Sequence, residues 1–397
     1  MHERAIVEEE RATRPATSPK ETTVELRGHW YRGGTSKCWL FDAHDVARHA
    51  SGREEMLRLV ADAFGAADAR QLDGVGGGTS TTSKAAIITP TPEGPADLDY
   101  LFAQVGIGEP TIELGSNCGN CATAVALYAV QAGLVTAGDV ATRVSMRNVN
   151  TGAVLTGTIA TPKRRIPTSG QARIPGSTAL GVPVRLAFQA PWGLTAGELL
   201  PTGHARDALV VGGRTLGATM VDAGAPALFL DAVDLRVDLS SMTDPLSAQL
   251  PTLLAARAAA GVAMGLHNPD SPPQNAIPKV GLIAAPGTYT ATDGTVVPAH
   301  THDLRVRMLS MLSPHPAIGL TSAVALSAAA AVPGSLVASS LSSGAAGESH
   351  RLRIGTPAGV VTTELVTDAE GRVVEVALDR AARHLAVATI EVTSAVA

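Results

Sequence analysis

Aromatic residues are scarce: Phe, Trp and Tyr make up 3% of the 397 residues. A core must therefore be packed mainly from Ala, Val, Leu and Ile, within a hydrophobic fraction of 45% that is ample for one. Cysteine is scarcer still, and three in so long a chain do not make a disulfide framework. Charge of neither sign is concentrated, with 31 basic against 36 acidic residues and a net charge of −5. No basic tract interleaved with aromatics appears, which argues against nucleic acid as a partner. Long apolar runs are missing too. The most hydrophobic region, 317–338, is mostly alanine, is interrupted by Ser, Thr and Pro333, and suits a buried helix better than a membrane span. The opening MHERAIVEEERATRPATSPKETT has no apolar core of signal-peptide length, so residues 1–23 read as a mobile tail. The expectation is a cytoplasmic protein with no membrane partner.

What the chain does have is short β-rich runs separated by Gly, Pro and Asn-Thr turns, among them CWLF, AAIIT, DYLFAQV, KVGLIAA and VVEVAL. Amphipathic helices are expected at 43–64 and 245–264. Two segments, 114–138 and 308–347, contain no Asp, Glu, Lys or Arg. Each holds an Ala/Val/Leu-rich stretch of roughly four helical turns, NCGNCATAVALYAVQAG and PAIGLTSAVALSAAAAV. A helix apolar on all sides belongs inside a domain. One such helix per half, each surrounded by strands, suggests an internal duplication jointed near QAPWGLTAGELLPTG.

Two loops repeat a pattern: YRGGTSK at 31–37 and GVGGGTSTTSK at 74–84. Both carry Gly-Gly-Thr-Ser and reach a lysine that leads into apolar residues. Neither completes a P-loop or a G-x-G-x-x-G, so nucleotide binding is weakly supported. Glycine backbone and clustered hydroxyls can cradle a carboxylate. A lysine entering an apolar strand can exchange protons. Two ordinary turns with solvated lysines are the bland alternative, and the repetition does not choose between Lys37 and Lys84. The second candidate is Asn117-Cys118-Gly119-Asn120-Cys121, at the start of the first apolar helix. A cysteine there meets the positive end of the helix dipole, which favours its thiolate, while the free N–H groups suit a carboxylate or enolate oxygen. Core packing of small thiols is the plain alternative. The C-x-x-C spacing also raises a thiol–disulfide oxidoreductase, although the β-rich surroundings do not supply its usual βαβ unit. No second C-x-x-C or H-x-x-x-H offers a metal site, and Cys38 reads as a strand residue.

These segments, in this order and spacing, resemble the 2-methylaconitate cis-trans isomerase (PrpF) family, related to methylitaconate isomerase and 4-oxalomesaconate tautomerase. The resemblance continues through RNVNTG at 147–152, VDAGAP at 221–226, RMLSM with His315, GTPAG at 355–359 and DRAARHLA near the C-terminus. It implies an α+β, diaminopimelate-epimerase-like fold of two similar domains, each a curved mixed sheet around a central helix, here 24–190 and 191–397. The last strand is open to packing on the first domain. It further implies proton transfer and C=C movement beside a carboxylate or carbonyl, with no metal or organic cofactor. The acid/base pair falls on Lys84 and Cys118, in an order left open. Substrate contacts fall on Arg32, Thr35, Ser36, Thr79, Ser80, Ser83, Asn117, Gly119 and Asn120, with Asn148, Asn150, Ser310, Met311 and His315 on the opposite wall. The partner is a small unsaturated carboxylate or related carbonyl compound, and a homodimer is entertained. Departures from the family pattern are Cys38 after the first loop's lysine, Ala225 in place of asparagine, Thr356-Pro357-Ala358-Gly359 in place of His-Pro-Ser-Gly, and a single retained histidine, His315. Those after Cys38 remove polar groups from the second domain, pointing to the same chemistry on a less charged or differently shaped substrate of specialised metabolism, or to a ligand-binding relative without catalysis.

Overall fold

The computed structural model describes residues 21–114, 117–270, 275, 277–341 and 349–395. Most of the expected tail, 1–20, lies outside the described residues, and 21–23 already belong to a strand. The first half runs β1 (Glu21–Gly33), β2 (Ser36–Asp42), α1 (Ala43–Ala47), α2 (Arg53–Ala63), β3 (Lys84–Pro90), β4 (Leu98–Val105) and β5 (Ile112–Glu113). It continues with α3 (Gly119–Gln131), β6 (Ala141–Asn148), β7 (Val154–Ala160), β8 (Ala172–Ile174) and β9 (Ser177–Gln189). The second half runs β10 (Asp207–Val211), β11 (Arg214–Ala223), β12 (Ala225–Asp231), α4 (Leu250–Ala263) and β13 (Lys279–Ala284). A small pair, β14 (Tyr289–Thr290) and β15 (Val296–Val297), precedes β16 (Leu304–Ser310), β17 (Ser313–Pro314), α5 (Leu320–Ala330) and α6 (Leu336–Ser339). The strands β18 (Ser349–Thr356), β19 (Gly359–Thr367) and β20 (Val373–Ala395) close the chain.

Strand pairing makes the duplication explicit. In the first half, β1 and β2 are antiparallel, β2 and β3 parallel, β3 and β4 antiparallel, β4 and β6 parallel, β6 and β7 antiparallel. In the second half β11, β12, β13, β16, β18 and β19 repeat that sequence of directions step for step. Each parallel step needs a crossover: α2 serves β2–β3 and α4 serves β12–β13, whereas α3 and α5 lie between β4 and β6 and between β16 and β18. Thus α3 corresponds to α5, and the residue heading β3, Lys84, corresponds to the residue heading β13, Lys279. The fold is α+β and diaminopimelate-epimerase-like.

The two central helices are what a core short of aromatics requires. Alanine has the highest helix propensity, and α3 and α5 bury Ala, Val and Leu on all sides. Each fully buried Val or Leu contributes roughly 1.5–3 kcal/mol. One continuous core surrounds both helices, and satellite cores lie under α2 and α4. The helix expected at 43–64 is divided: Gly52 takes an extended conformation before Arg53, and Glu55 reaches back to accept from the Ser51 N–H at 2.6 Å, a capping arrangement that starts a new helix. The helix expected at 245–264 begins later, at Leu250, because Leu246 has a left-handed backbone, φ +56°. The final strand joins the halves. β20 pairs with β19, then with β9, and along 382–395 with β1.

Candidate active site

The starts of α3 and α5 meet. A Cβ on Gly119 would lie 2.8 Å from Leu320 Cβ, so glycine is what lets the two helix ends approach. Neither start has a side-chain cap: Cys118 and Gly319 are the N-cap residues and make no capping hydrogen bond. Uncapped helix starts leave N–H groups free for an anion. Around them lies a cavity of about 160 Å³.

The first-half wall is tied together. The first glycine loop lies against the opening turn of α3: a Cβ on Gly33 would overlap the Asn120 carbonyl, and Gly34, at φ +55°, would press its own on the Asn120 side chain. Asn120 donates through Nδ2 to Thr35 Oγ1 at 3.2 Å and Ser36 Oγ at 3.1 Å, and accepts from Arg380 Nη2 at 3.1 Å. Arg380 is 7% exposed, and burial and the nearby Arg32 push its pKa down to about 10. The two loops also join each other, Lys37 N–H donating to Thr81 O at 2.9 Å. Lys84, 9% exposed, donates to Gln104 Oε1 and packs 5.2 Å from the Phe102 ring centre. Lys37 instead lies over Trp30 at 4.8 Å and does not line the cavity. Between the two loops, the lysine in the cleft is that of the second.

Cys118 is half-buried at the cavity, and Cys121 is 0% exposed in the first turn of α3. The Cys118 thiol is pushed well up, first by its hydrogen bond to Cys121 and then by burial, against the pull of the Lys84 charge. The expectation of a helix-favoured thiolate is thereby corrected: Cys118 rests as a proton-bearing thiol. Cys121 belongs to the core around α3, where a small thiol packs as the plain alternative has it. Beside the thiol, Asn117 Oδ1 accepts from Tyr100 OH at 3.0 Å and Asn148 Nδ2 at 3.2 Å, while its own buried Nδ2 has no partner among the described residues.

Of the sequence-derived contacts, Thr35, Ser36, Ser80, Asn117, Gly119, Asn120, Ser310, Met311 and His315 line this cavity with Lys84 and Cys118. Arg32, Thr79, Ser83, Asn148 and Asn150 do not, each being engaged elsewhere. Arg32 donates to Gly34 O at 3.0 Å and Leu180 O at 2.9 Å. Thr79 bonds Thr82 Oγ1 at 2.6 Å within its own loop, and Ser83 donates to Gln71 Oε1 at 2.6 Å. Asn148 holds Asn117 from behind. Asn150 donates to Phe102 O at 2.8 Å and Leu114 O at 2.7 Å, bracing the approach to α3.

On the second-half wall, Met311 has a left-handed backbone, φ +53°, and its carbonyl accepts from the buried Arg257 Nη1 at 2.6 Å. His315 Nδ1 accepts from Ala317 N–H at 3.0 Å, which leaves the proton on Nε2. Burial and the Lys279 and Lys84 charges push its pKa down to about 4, so the ring is neutral near pH 7. Sequence reasoning missed Lys279, Glu113, Gln104, Thr321 and Ser322, all cavity residues. Among the described residues, no group of three or more His, Cys, Asp or Glu could hold a metal ion, and no helix is long and apolar enough to cross a membrane.

The model of the PrpF protein family matches residues 24–393. The chain belongs to the PrpF family. Among PrpF-like relatives, the 2-methyl-aconitate isomerase of Shewanella oneidensis is 32% identical over 384 residues, covering 91% of this chain and 95% of the relative. The 4-oxalomesaconate tautomerase of Pseudomonas putida is 34% identical, covering 84% and 87%. The crystal structure of a methylitaconate-delta-isomerase superposes with a TM-score of 0.79 at 28% identity, covering 93% of this chain and 96% of that one. With such relatives along almost its whole length, this PrpF-family chain is an isomerase.

Proposed function

We propose that the protein catalyses a cofactor-independent shift of a proton and a C=C bond beside a carboxylate, on a small unsaturated di- or tricarboxylate of the kind named for its relatives. The observation that carries the reading is the convergence of Lys84 and Cys118 on one cavity, at an uncapped helix start beside an unpaired amide donor. Burial and the Cys121 hydrogen bond keep the proton on Cys118, so the thiol is the acid, and Lys84 acts as the base in the form that has first given up its own proton to become a neutral amine. Lys84 takes a proton from the carbon next to a carboxylate, and the electron pair spreads over that carboxylate and the adjoining C=C as a dienolate. Asn117 Nδ2, the Nε2–H of His315 and the helix N–H groups hold the developing oxyanion. Donors of this kind are worth about 10²–10³-fold each. Cys118 then delivers its proton to the far carbon of the allyl unit, or to the original carbon after rotation. Transfer of that proton from Lys84 to the Cys118 thiolate restores the neutral amine and the thiol for the next turnover.

A reducing compartment suits this chemistry, because Cys118 must remain a free thiol next to Cys121. The test is proton NMR in D₂O with 2-methylaconitate, 3-methylitaconate and 4-oxalomesaconate, using the wild type, Lys84→Ala and Cys118→Ala. The expected result is isomerisation of at least one compound by the wild type and loss of it in both variants. Isomerisation that survives in either variant would overturn the assignment of that residue. A wild type inert toward all three, neither isomerising nor exchanging protons, would overturn the substrate class.

A further inference from the structure

Lys279 has no part in the mechanism above, yet it lines the same cavity. It is the second-half counterpart of Lys84: both head a strand that pairs in parallel with the strand before it and antiparallel with the one after. The two differ in their partners. Lys84 donates to Gln104, whereas the half-buried Lys279 ammonium has no hydrogen bond or ion pair among the described residues. It also lines a second, smaller cavity of about 20 Å³, shared with Asn117, Asp222, Ala225, Pro226 and Ile277, so it stands where the two spaces adjoin. In the Asp222 carboxylate there, Oδ2 accepts from the Thr195 and Ala196 N–H groups, at 2.7 and 2.6 Å, and Asp222 is not among the charges that act on Lys279.

We propose that Lys279 is the carboxylate anchor of the second-half wall, a cation left unpaired by the protein so that an anionic substrate completes it. The proposal rests on the reading of the cleft as a carboxylate site. The cations facing Lys279 are Lys84 and Arg257, opposed by Glu113 and by Cys118 when ionised, with His315 close by. Glu113 is exposed and is the one carboxylate lining the main cavity among the described residues, too little to balance the lysines. Burial, Arg257 and Lys84 accordingly lower the Lys279 pKa to about 8. A bound carboxylate supplies the missing counter-charge and raises it again. Binding near pH 8 must then take up a proton, whereas binding near pH 6, where the lysine is already charged, need not.

Calorimetry with propane-1,2,3-tricarboxylate measures this without turnover, since a saturated acid has no C=C to shift. Titrations in two buffers of different ionisation heat report the protons exchanged. Once the protons that the acid's own last carboxyl gives up are subtracted, the expected uptake is about half a proton per bound molecule at pH 8 and close to none at pH 6. Lys279→Met is expected to bind roughly tenfold more weakly or worse, without the uptake. Lys279→Arg, which keeps the charge and does not titrate here, is expected to bind with no uptake and shows that the fold tolerates change at this position. Binding by Lys279→Met with wild-type affinity and proton uptake would overturn the anchor while leaving the carboxylate site standing. No binding of the tricarboxylate to the wild type at either pH would overturn both.

Discussion

The two halves share a fold but treat the cleft differently. On the first-half wall nearly every polar group is held by another: Asn120 links Arg380 to Thr35 and Ser36, Gln104 receives Lys84, and Tyr100 and Asn148 fix Asn117. On the second-half wall Lys279 has no hydrogen bond or ion pair among the described residues, and Gly319 stands where α3 has Cys118. Met311 is held through its carbonyl alone, by an arginine from α4. A mechanism with one thiol at each helix start is therefore not open to this chain. Duplication supplied two equivalent walls: the first is the more tightly hydrogen-bonded and, in the proposed mechanism, holds the acid and the base, while the second offers charge and space. That division matches a need to place the base and acid to within a fraction of an ångström while accepting a substrate by its anionic ends.

The largest effects should come from removing the first-half chemistry. Lys84→Ala and Cys118→Ala are each expected to lower kcat by roughly 10²–10⁴, with a much smaller change in KM, measured by initial rates on whichever substrate the NMR assay identifies. Equal losses from Gly319 substitutions would erase the contrast between the walls.

Arg380→Leu probes the support beneath that wall. Its guanidinium is buried, has no carboxylate partner among the described residues, and repels Arg32. Replacing an uncompensated buried charge by an apolar side chain need not cost stability. Asn120, however, loses its restraint, and Thr35 and Ser36 lose theirs with it. The expected outcome is about a tenfold fall in kcat/KM with Tm unchanged or raised. A collapsed Tm with normal activity in the surviving protein would make Arg380 a packing residue only.

The pH profile sharpens the role of Cys118. Because the hydrogen bond to Cys121 raises its pKa, Cys121→Ala should lower it. If the protonated thiol is the acid, activity at high pH should then fall off at a lower pH than in the wild type, while the rate near pH 6 changes only a few-fold. A limb that stays in place removes the thiol from that titration, and a loss as deep as that of Cys118→Ala would return the dithiol reading to consideration.

The contrast between the walls also explains what the sequence could disclose. First-half site residues sit in contiguous, chemically odd stretches, so GGTSTTSK and NCGN could be read locally. Within the hydroxyl run, composition cannot say that Ser80 faces the cavity while Thr79 and Ser83 turn to Thr82 and Gln71. The family resemblance puts Arg32 among the carboxylate contacts. Two backbone carbonyls claim it instead. Second-half residues converge only through sheet register: Lys279 through β12–β13 pairing, and Arg380 through a strand that returns across the molecule. One signal was present. KVGLIA opens with a lysine entering an apolar strand, as KAAIIT does in the first half, and the duplicated topology makes that likeness meaningful.

The smallest predicted effect lies at the edge of the second wall. Ala225, where the resembling family carries asparagine, lines the side cavity behind Lys279, and that space of about 20 Å³ holds one water-sized group. Ala225→Asn would fill it and place an amide beside Asp222 and Lys279. With the proton-transfer residues untouched, kcat on the best substrate should change only a few-fold. The discriminating quantity is the ratio of kcat/KM between substrates that differ by one small substituent, such as aconitate and 2-methylaconitate. A pocket contact of one methyl group shifts such a ratio by about 10–200-fold at most. Ala225→Asn should move the ratio toward the unmethylated acid if the cavity receives that methyl. An unchanged ratio would mean that the side space stays outside the substrate's reach, and that the second wall selects by charge through Lys279 alone.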